Sequence, residues 1–311
     1  EMSASLVGSE MCIRDRVGEV LLHGTNWWWM FFSLLFGVLA QVFRGWRWKQ
    51  MLEPLEAFPK RSDCVNAIFI SYAASLIVPR VGEVSRCGVL AKYDNVSFAK
   101  SLGTVVTERL VDTLTILLIT GVTVLLQLPI FVTFLQQTGT KIPSLLHLLT
   151  SVWFYIVLFC FIGVGMLLYY LRKTLFFYER VKGFVLNIWE GVMSLKGVRN
   201  IPLFSFYTLA IWGCYFFHFY FTFYCFAFTA HLSILAALVM FVGGTFAVIV
   251  PTPNGAGPWH FAVISMMMLY GVNETDAGIF ALIVHGIQTF LVVLLGVYGL
   301  AALSLTNRQR K

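Results

Sequence analysis

Long apolar stretches separated by short polar segments dominate the chain. About five of them reach the length of about 20 apolar residues with which a helix crosses a bilayer. The predicted spans are Trp27–Trp46, Ser101–Gln127, Leu146–Leu171, Leu203–Phe228 and Ile279–Leu305. Long unbroken apolar runs favour helices over a closed barrel, because each helix satisfies its own backbone hydrogen bonds in lipid. The pattern therefore predicts an all-α, polytopic membrane protein.

Two further apolar stretches are interrupted by proline and glycine. The first, Val65–Val78, is followed by a Pro-Arg-Val-Gly-Glu run and resumes as Val84–Ala91. At 1.5 Å per residue, Val65–Val78 reaches about 21 Å as a helix, less than the roughly 30 Å hydrocarbon core. The second, Leu232–Val250, is followed by Pro-Thr-Pro-Asn-Gly-Ala-Gly-Pro and resumes as Trp259–Gly271. Both stretches predict re-entrant or broken helices.

Proline removes a backbone donor and glycine favours turns, so the breaks are expected to be tight turns. The predicted turn residues are Pro79, Gly82, Pro251, Pro253, Gly255 and Gly257. Because three predicted spans separate the two breaks, the broken helices should enter the membrane from opposite faces. This arrangement indicates an inverted repeat, as in transporters that bind substrate where two interrupted helices meet. Coincidence is the alternative, since direct similarity between the two halves is slight.

The composition excludes a soluble domain. Hydrophobic residues make up 59% of the chain, charged residues 12%, and the mean hydropathy is +0.80. Soluble domains contain roughly 25% charged residues. Water is therefore not the solvent for most of this protein's surface.

Basic residues, which give the chain a net charge of +7, crowd four places along it. They are Arg44, Arg47, Lys49, Lys60 and Arg61; Lys92 and Lys100; Arg172, Lys173, Arg180, Lys182, Lys196 and Arg199; and Arg308, Arg310 and Lys311. All of them fall on one side if each broken helix returns to the side from which it entered. By the positive-inside rule that side is cytoplasmic, and the C-terminus lies there.

Six ionisable residues interrupt the apolar sequence in two runs. They are Arg80, Glu83, Arg86, Glu108, Arg109 and Asp112. The first three are spaced three apart, which places them on one face if that segment is helical. The other three fall within one turn of the next helix. Charges inside a bilayer are costly, pair with one another and mark substrate sites.

Two interpretations of these charges stay open. The three arginines balance the three carboxylates, which is consistent with a purely structural network. Alternatively, the arginines bind the phosphate of an anionic lipid headgroup, because a guanidinium group pairs with phosphate through two hydrogen bonds.

Four motifs carry a resemblance to a known family. They are FRGWRW at Phe43–Trp48, PRVGEVSR at Pro79–Arg86, TERLVD at Thr107–Asp112 and PTPNGAG at Pro251–Gly257. In this order they resemble the lysylphosphatidylglycerol synthase transmembrane, or flippase-like, family, from Trp27 onward. The resemblance implies a bacterial inner-membrane protein related to the half of a bifunctional protein that moves lysyl-phosphatidylglycerol between leaflets.

The resemblance leaves the substrate open. No aminoacyl-transferase sequence follows Lys311, so synthesis of the lysyl lipid is not expected of this chain. Other stand-alone members are associated with glycolipids and isoprenoid-linked lipids. Asn254 also stands where a second glycine is common in the family, which changes the lining of the second turn.

The function expected from these features is translocation of an anionic or phosphate-bearing lipid between leaflets, or accessory lipid transport. One alternative is a membrane enzyme acting on a lipid-linked substrate, with Glu83, Glu108 or Asp112 as acid or base. Another is a non-catalytic scaffold for a separate synthase. Membrane lipids are the expected partners, with a synthase as a further candidate and no nucleic acid.

Histidines show no spacing typical of a metal site, and no cofactor motif is present. His260 follows the second turn, so it joins Asn254 among the candidate substrate-binding residues. The segment Leu6–Arg16 resembles a translated sequencing adapter, so residues 1–16 are predicted to be an artefact and 17–311 a single transmembrane domain. An amphipathic helix is expected at about residues 174–200, along the cytoplasmic membrane surface.

Overall fold

The computed structural model describes residues 16–129 and 178–308, together with Tyr155, Phe159 and Gly163. These ranges contain nine α-helices, labelled here in chain order. They are α1 Trp27–Leu52, α2 Arg61–Ile77, α3 Val81–Tyr93, α4 Phe98–Leu126, α5 Tyr178–Met193, α6 Ile201–Tyr220, α7 Ile234–Ala247, α8 Pro258–Leu269 and α9 Glu274–Arg308. The predicted span Leu146–Leu171 lies outside the described residues, except for the three isolated positions. So do residues 1–15 of the predicted artefact.

Four helical stretches within the described ranges are long and apolar enough to cross a membrane. They are Trp27–Leu55, Phe98–Leu126, Ile201–Cys225 and Glu274–Thr306. Apolar side chains on their outer faces are exposed, such as Leu118 at 70% and Leu125 at 81%, as expected of surfaces that contact lipid. The prediction of an all-α polytopic membrane protein is confirmed.

The last of these helices begins five residues before the predicted Ile279. Asn273 caps it, because its side-chain oxygen accepts a hydrogen bond from the Asp276 backbone N–H at 2.8 Å. Glu274 and Asp276 lie in the first turn, where negative charge stabilises the helix dipole. Capping therefore extends the helix beyond its apolar core.

The first broken stretch forms a helical hairpin from α2 and α3. The chain turns at residues 78–80, where Arg80 adopts a left-handed conformation with φ 65°. A Cβ atom at Gly82 would overlap the carbonyl oxygen of Ser71, so glycine allows the two helices to approach closely. Farther from the turn, Cys64 packs in the same apolar cluster as Leu90, which makes the helices antiparallel.

The second broken stretch forms a matching hairpin from α7 and α8. Its turn contains three residues with positive φ, at Asn254, Gly255 and Gly257, and α8 starts at Pro258. The four hairpin helices have 12 to 17 residues. Each is therefore about 18 to 26 Å long, shorter than the hydrocarbon core of about 30 Å. The two predicted breaks are confirmed, and each is the turn of a helical hairpin.

The order long helix, hairpin, long helix occurs twice, as α1 to α4 and as α6 to α9. The equivalent helices α1 and α6 run antiparallel. Asn26 bonds to Cys225 at one end of this pair, at 2.8 Å, and Arg47 bonds to Thr208 toward the other, at 3.2 Å. Opposite directions in equivalent helices are what an inverted repeat requires.

The two hairpins meet near their tips. Arg80, in the first turn, donates a hydrogen bond to the carbonyl oxygen of Ile249, just beyond the end of α7, at 3.2 Å. The amphipathic helix is α5, and its C-terminal part packs against α4. Gly191 of α5 contacts Gly103 of α4, and neither position has room for a Cβ atom.

We predict that Gly82→Ala disrupts the first hairpin, because the added methyl group would collide with the backbone of α2. Gly88→Ala on the same helix is the matched control, since none of the described residues lies within 4 Å of its added Cβ. Alanine favours helix over glycine by about 1 kcal/mol, so the control should keep or raise stability. Thermal unfolding in detergent measures both. Equal stability of the two variants would contradict the close packing at Gly82.

Candidate functional site

Two arginines of α1 lie inside the helix assembly. Arg44 is 3% exposed and Arg47 is 0% exposed. Both were expected among the bases on one side of the membrane, and they are instead buried between helices. The carboxylates of α4 lie beside them and hold them away from water. The sequence spacing could have indicated this contact. Arg44 and Arg47 are three apart and so share a helix face, and Glu108 and Asp112 are four apart and share a face of α4.

These side chains form a buried ion-pair network of Arg44, Arg47, Arg86, Glu108 and Asp112. Arg44 contacts Glu108 at 2.5 Å and Asp112 at 2.7 Å. Arg47 contacts Asp112 at 2.7 Å, and Arg86 contacts Glu108 at 2.7 Å. Each carboxylate oxygen of Glu108 and Asp112 has at least one arginine partner. Full pairing of this kind offsets the cost of removing the charges from water.

Arg109 lies at the border of this network and is held more loosely. Its side chain is 43% exposed, and its contacts with Glu83, Glu108 and Asp112 measure 3.4, 3.5 and 3.7 Å. Glu83 is itself 37% exposed. Arg109 is therefore the arginine of this group that an incoming ligand can reach most easily.

The charges do not balance as the sequence analysis assumed. Within the described residues, the network and its border contain four arginines, namely Arg44, Arg47, Arg86 and Arg109. They face the three carboxylates of Glu83, Glu108 and Asp112, which leaves a surplus of one positive charge. An uncompensated charge at this depth is unfavourable, so the site favours an anion.

Arg80 is not part of this network. It precedes α3 in a left-handed conformation and is exposed at the hairpin tip, so it does not share the helix face of Glu83 and Arg86. Glu83 and Arg86, by contrast, line a common cavity. Glu83 and Arg86 therefore share the expected helix face, and Arg80 does not, because α3 begins only at Val81.

Two cavities flank Arg44 and Arg109. The first, called here the arginine cavity, has a volume of about 210 Å³ and also contacts Thr113, Trp212 and Ile249. The second has about 80 Å³ and also contacts Glu83 and Arg86. The Nη2 atom of Arg86 is buried without a hydrogen-bond partner in the described part of the chain. Both cavities therefore expose guanidinium groups, the smaller one beside the first hairpin and the arginine cavity between α1, α4, α6 and the end of α7.

Asn254 and His260 stabilise the second turn. The side-chain amide of Asn254 donates to the Thr289 hydroxyl at 2.7 Å, and the backbone carbonyl oxygen of Asn254 lies 3.1 Å from Nε2 of His285. The Gly257 backbone N–H donates to Nδ1 of His260 at 3.3 Å. The sequence analysis did not single out His285, whose ring centre lies 4.6 Å from that of His260. The substrate-binding role predicted for Asn254 and His260 stays a prediction.

The described residues contain no group of three His, Cys, Asp or Glu side chains that could hold a metal ion.

Comparison with known proteins identifies the class of this membrane protein. The family described as Lysylphosphatidylglycerol synthase TM region matches residues 19–296, so the chain belongs to that family. The resemblance carried by the four sequence motifs is confirmed. No curated protein and no solved structure matches the chain.

The network predicts unequal effects of neutralising its carboxylates. Glu108→Gln should destabilise the protein by about 3–5 kcal/mol, because it removes the charged partner of buried Arg86 and leaves Arg44 and Arg47 with Asp112 alone. Glu83→Gln is the matched control: its side chain is partly exposed, and its loss should cost less than about 1 kcal/mol. Chemical unfolding in detergent reports both. A similar small loss for the two variants would show that the buried pairs do not hold the helices together.

Proposed function

We propose that this protein moves a lipid with an anionic, phosphate-bearing headgroup between the leaflets of the bacterial inner membrane, or assists such transport. One observation carries the proposal. A buried network with one surplus positive charge has its most accessible arginine, Arg109, at two cavities, one beside the first hairpin and one beside the second. Membership of the family supports a role that involves membrane lipids.

The chemistry of the site supports a phosphate ligand. Guanidinium groups bind phosphate oxygens through short, charge-assisted hydrogen bonds. Arg109 can form them because its present contacts are 3.4 Å or longer, and an anion there would neutralise the surplus charge. Arg86 can add its buried Nη2 group from the smaller cavity.

The architecture supports translocation. In transporters with inverted repeats, the substrate binds near the midplane between broken helices, and one repeat then rocks against the other. Here two hairpins meet at the Arg80–Ile249 hydrogen bond beside the arginine cavity, which Ile249 also lines.

The enzyme alternative receives less support at two of its three candidate carboxylates, Glu108 and Asp112. A general base must reach the proton that it removes. The oxygens of Glu108 and Asp112 are instead occupied by Arg44, Arg47 and Arg86. Ion pairing of this kind favours binding over proton transfer.

We also propose the inner membrane as the location, with the C-terminus in the cytoplasm. The proposal depends on the basic clusters outside the network, since Arg44 and Arg47 do not contribute to a surface. A separate synthase that supplies the lipid is the proposed protein partner.

Arg109→Gln tests the proposal in proteoliposomes. We expect the variant to fold like the wild type but to lose leaflet exchange of phosphatidylglycerol by about tenfold or more, because a charged hydrogen bond of 1.5–3 kcal/mol is lost. Arg47→Gln should instead lose stability, since Arg47 is 0% exposed. Lys49→Gln, on the same helix with a surface contact to Glu53 at 3.6 Å, should change neither property.

The exchange assay uses phosphatidylglycerol, lysyl-phosphatidylglycerol, phosphatidylcholine and a polyprenyl phosphate in parallel. Wild-type exchange by a folded Arg109→Gln variant would contradict the role of Arg109 as the phosphate ligand. Exchange of none of these lipids by the wild type would refute translocation and leave the enzyme or scaffold alternatives.

A further inference from the structure

Two histidine rings lie together at the second hairpin. His260 occupies the first turn of α8, His285 belongs to α9, and their ring centres are 4.6 Å apart. Within the described ranges, no Asp, Glu or Cys side chain joins the two rings as a third group. The pair is therefore a cluster of titratable groups apart from the ion-pair network, and a positive charge on it has no carboxylate partner there.

Hydrogen bonds assign the proton that each neutral ring carries. The Gly257 backbone N–H donates to Nδ1 of His260, so Nδ1 carries no hydrogen and Nε2 does. Nε2 of His285 lies 3.1 Å from the backbone carbonyl oxygen of Asn254. A carbonyl oxygen only accepts, so Nε2 carries the hydrogen of His285. In both rings Nδ1 is therefore the nitrogen that takes up a further proton.

Proton uptake has different consequences at the two rings. A hydrogen added to Nδ1 of His260 would point at the Gly257 N–H, so two donors would face each other and their hydrogen bond would be lost. Gly257 is the N-cap of α8, where the helix dipole also disfavours a positive charge. The bond from His285 to Asn254 uses Nε2 and survives protonation at Nδ1. Protonation of His260 therefore loosens the start of α8.

The surroundings single out His260 as the group that responds to pH. The helix α7, the turn that follows it and the rest of α8 contain no other ionisable side chain. From α9, His285 lies close enough to disfavour a second proton on the pair. Other ionisable side chains on the neighbouring elements are Tyr72 of α2, Tyr215 and His218 of α6, and Arg80 before α3. These four already have hydrogen-bond partners of their own.

We propose that His260 is a protonation site that controls the turn of the second hairpin. Neutral His260 accepts the Gly257 N–H and holds the start of α8 against the turn. A proton bound from solution at Nδ1 ends this bond and releases the turn, so lower pH favours the released form. The turn follows Ile249, which accepts the hydrogen bond from Arg80, so protonation acts beside the contact between the two hairpins.

Hydrogen–deuterium exchange of residues 251–260, read by mass spectrometry on the full chain in detergent, tests this proposal without any lipid ligand. His260→Asn is the comparison, because its side-chain oxygen can accept the Gly257 N–H but does not bind a proton. Comparison at one pH removes the effect of pH on the exchange chemistry itself. At about pH 8 we expect equal exchange, and at about pH 5 the wild type should exchange about threefold to tenfold faster.

Three further variants locate the proton. His260→Gln is a second variant that does not titrate, and it should lose the pH response as His260→Asn does. His285→Gln should keep the response, because glutamine can donate to Asn254 as Nε2 does. His231→Asn is the matched control, since His231 is exposed between α6 and α7 and should not alter the response.

The exchange data separate this proposal from the proposed function. Equal exchange of the wild type and both His260 variants at about pH 5 would overturn it. A pH response that disappears in His285→Gln and persists in His260→Asn would also overturn it, because the proton would then bind the other ring. A response lost in the His260 variants and kept in His285→Gln and His231→Asn would uphold it, even if the protein moves no lipid.

Discussion

Buried charges must be paired, and this requirement connects the two helices at the centre of the protein. Arg44 and Arg47 of α1 can leave water only beside the carboxylates of Glu108 and Asp112 on α4. The pairs fix how far the two helices slide along one another, because each arginine contacts both carboxylates. Arg86 of the first hairpin pairs with Glu108 as well, so it holds the hairpin beside the same turn of α4. The position of the first hairpin therefore depends on the network.

The surplus positive charge connects this structure with function. Loose contacts leave Arg109 accessible at the arginine cavity, while the tighter pairs around it hold the helices in place. In this account Arg44, Arg47 and Arg86 stabilise the fold, and Arg109 binds the anion.

The sequence predicted what depends on local patterns. Apolar length located the four spans that lie within the described residues, and the Pro79 and Pro251 runs located both hairpin turns, because proline and glycine act on the backbone itself. The partners of the buried charges could not be predicted in this way. Arg44 and Arg47 follow an apolar run, as surface bases commonly do, and burial depends on α4, more than 50 positions away.

The central claim is that the arginine cavity is an electropositive site for an anion. The most direct measurement is the reactivity of a Thr113→Cys variant, since Thr113 lines this cavity beside Arg109. In proteoliposomes, a negatively charged thiol reagent should react with this cysteine faster than a positively charged reagent of similar size. Added phosphatidylglycerol should slow the reaction of the negatively charged reagent. Faster reaction of the positive reagent, or no effect of the anionic lipid, would contradict the account.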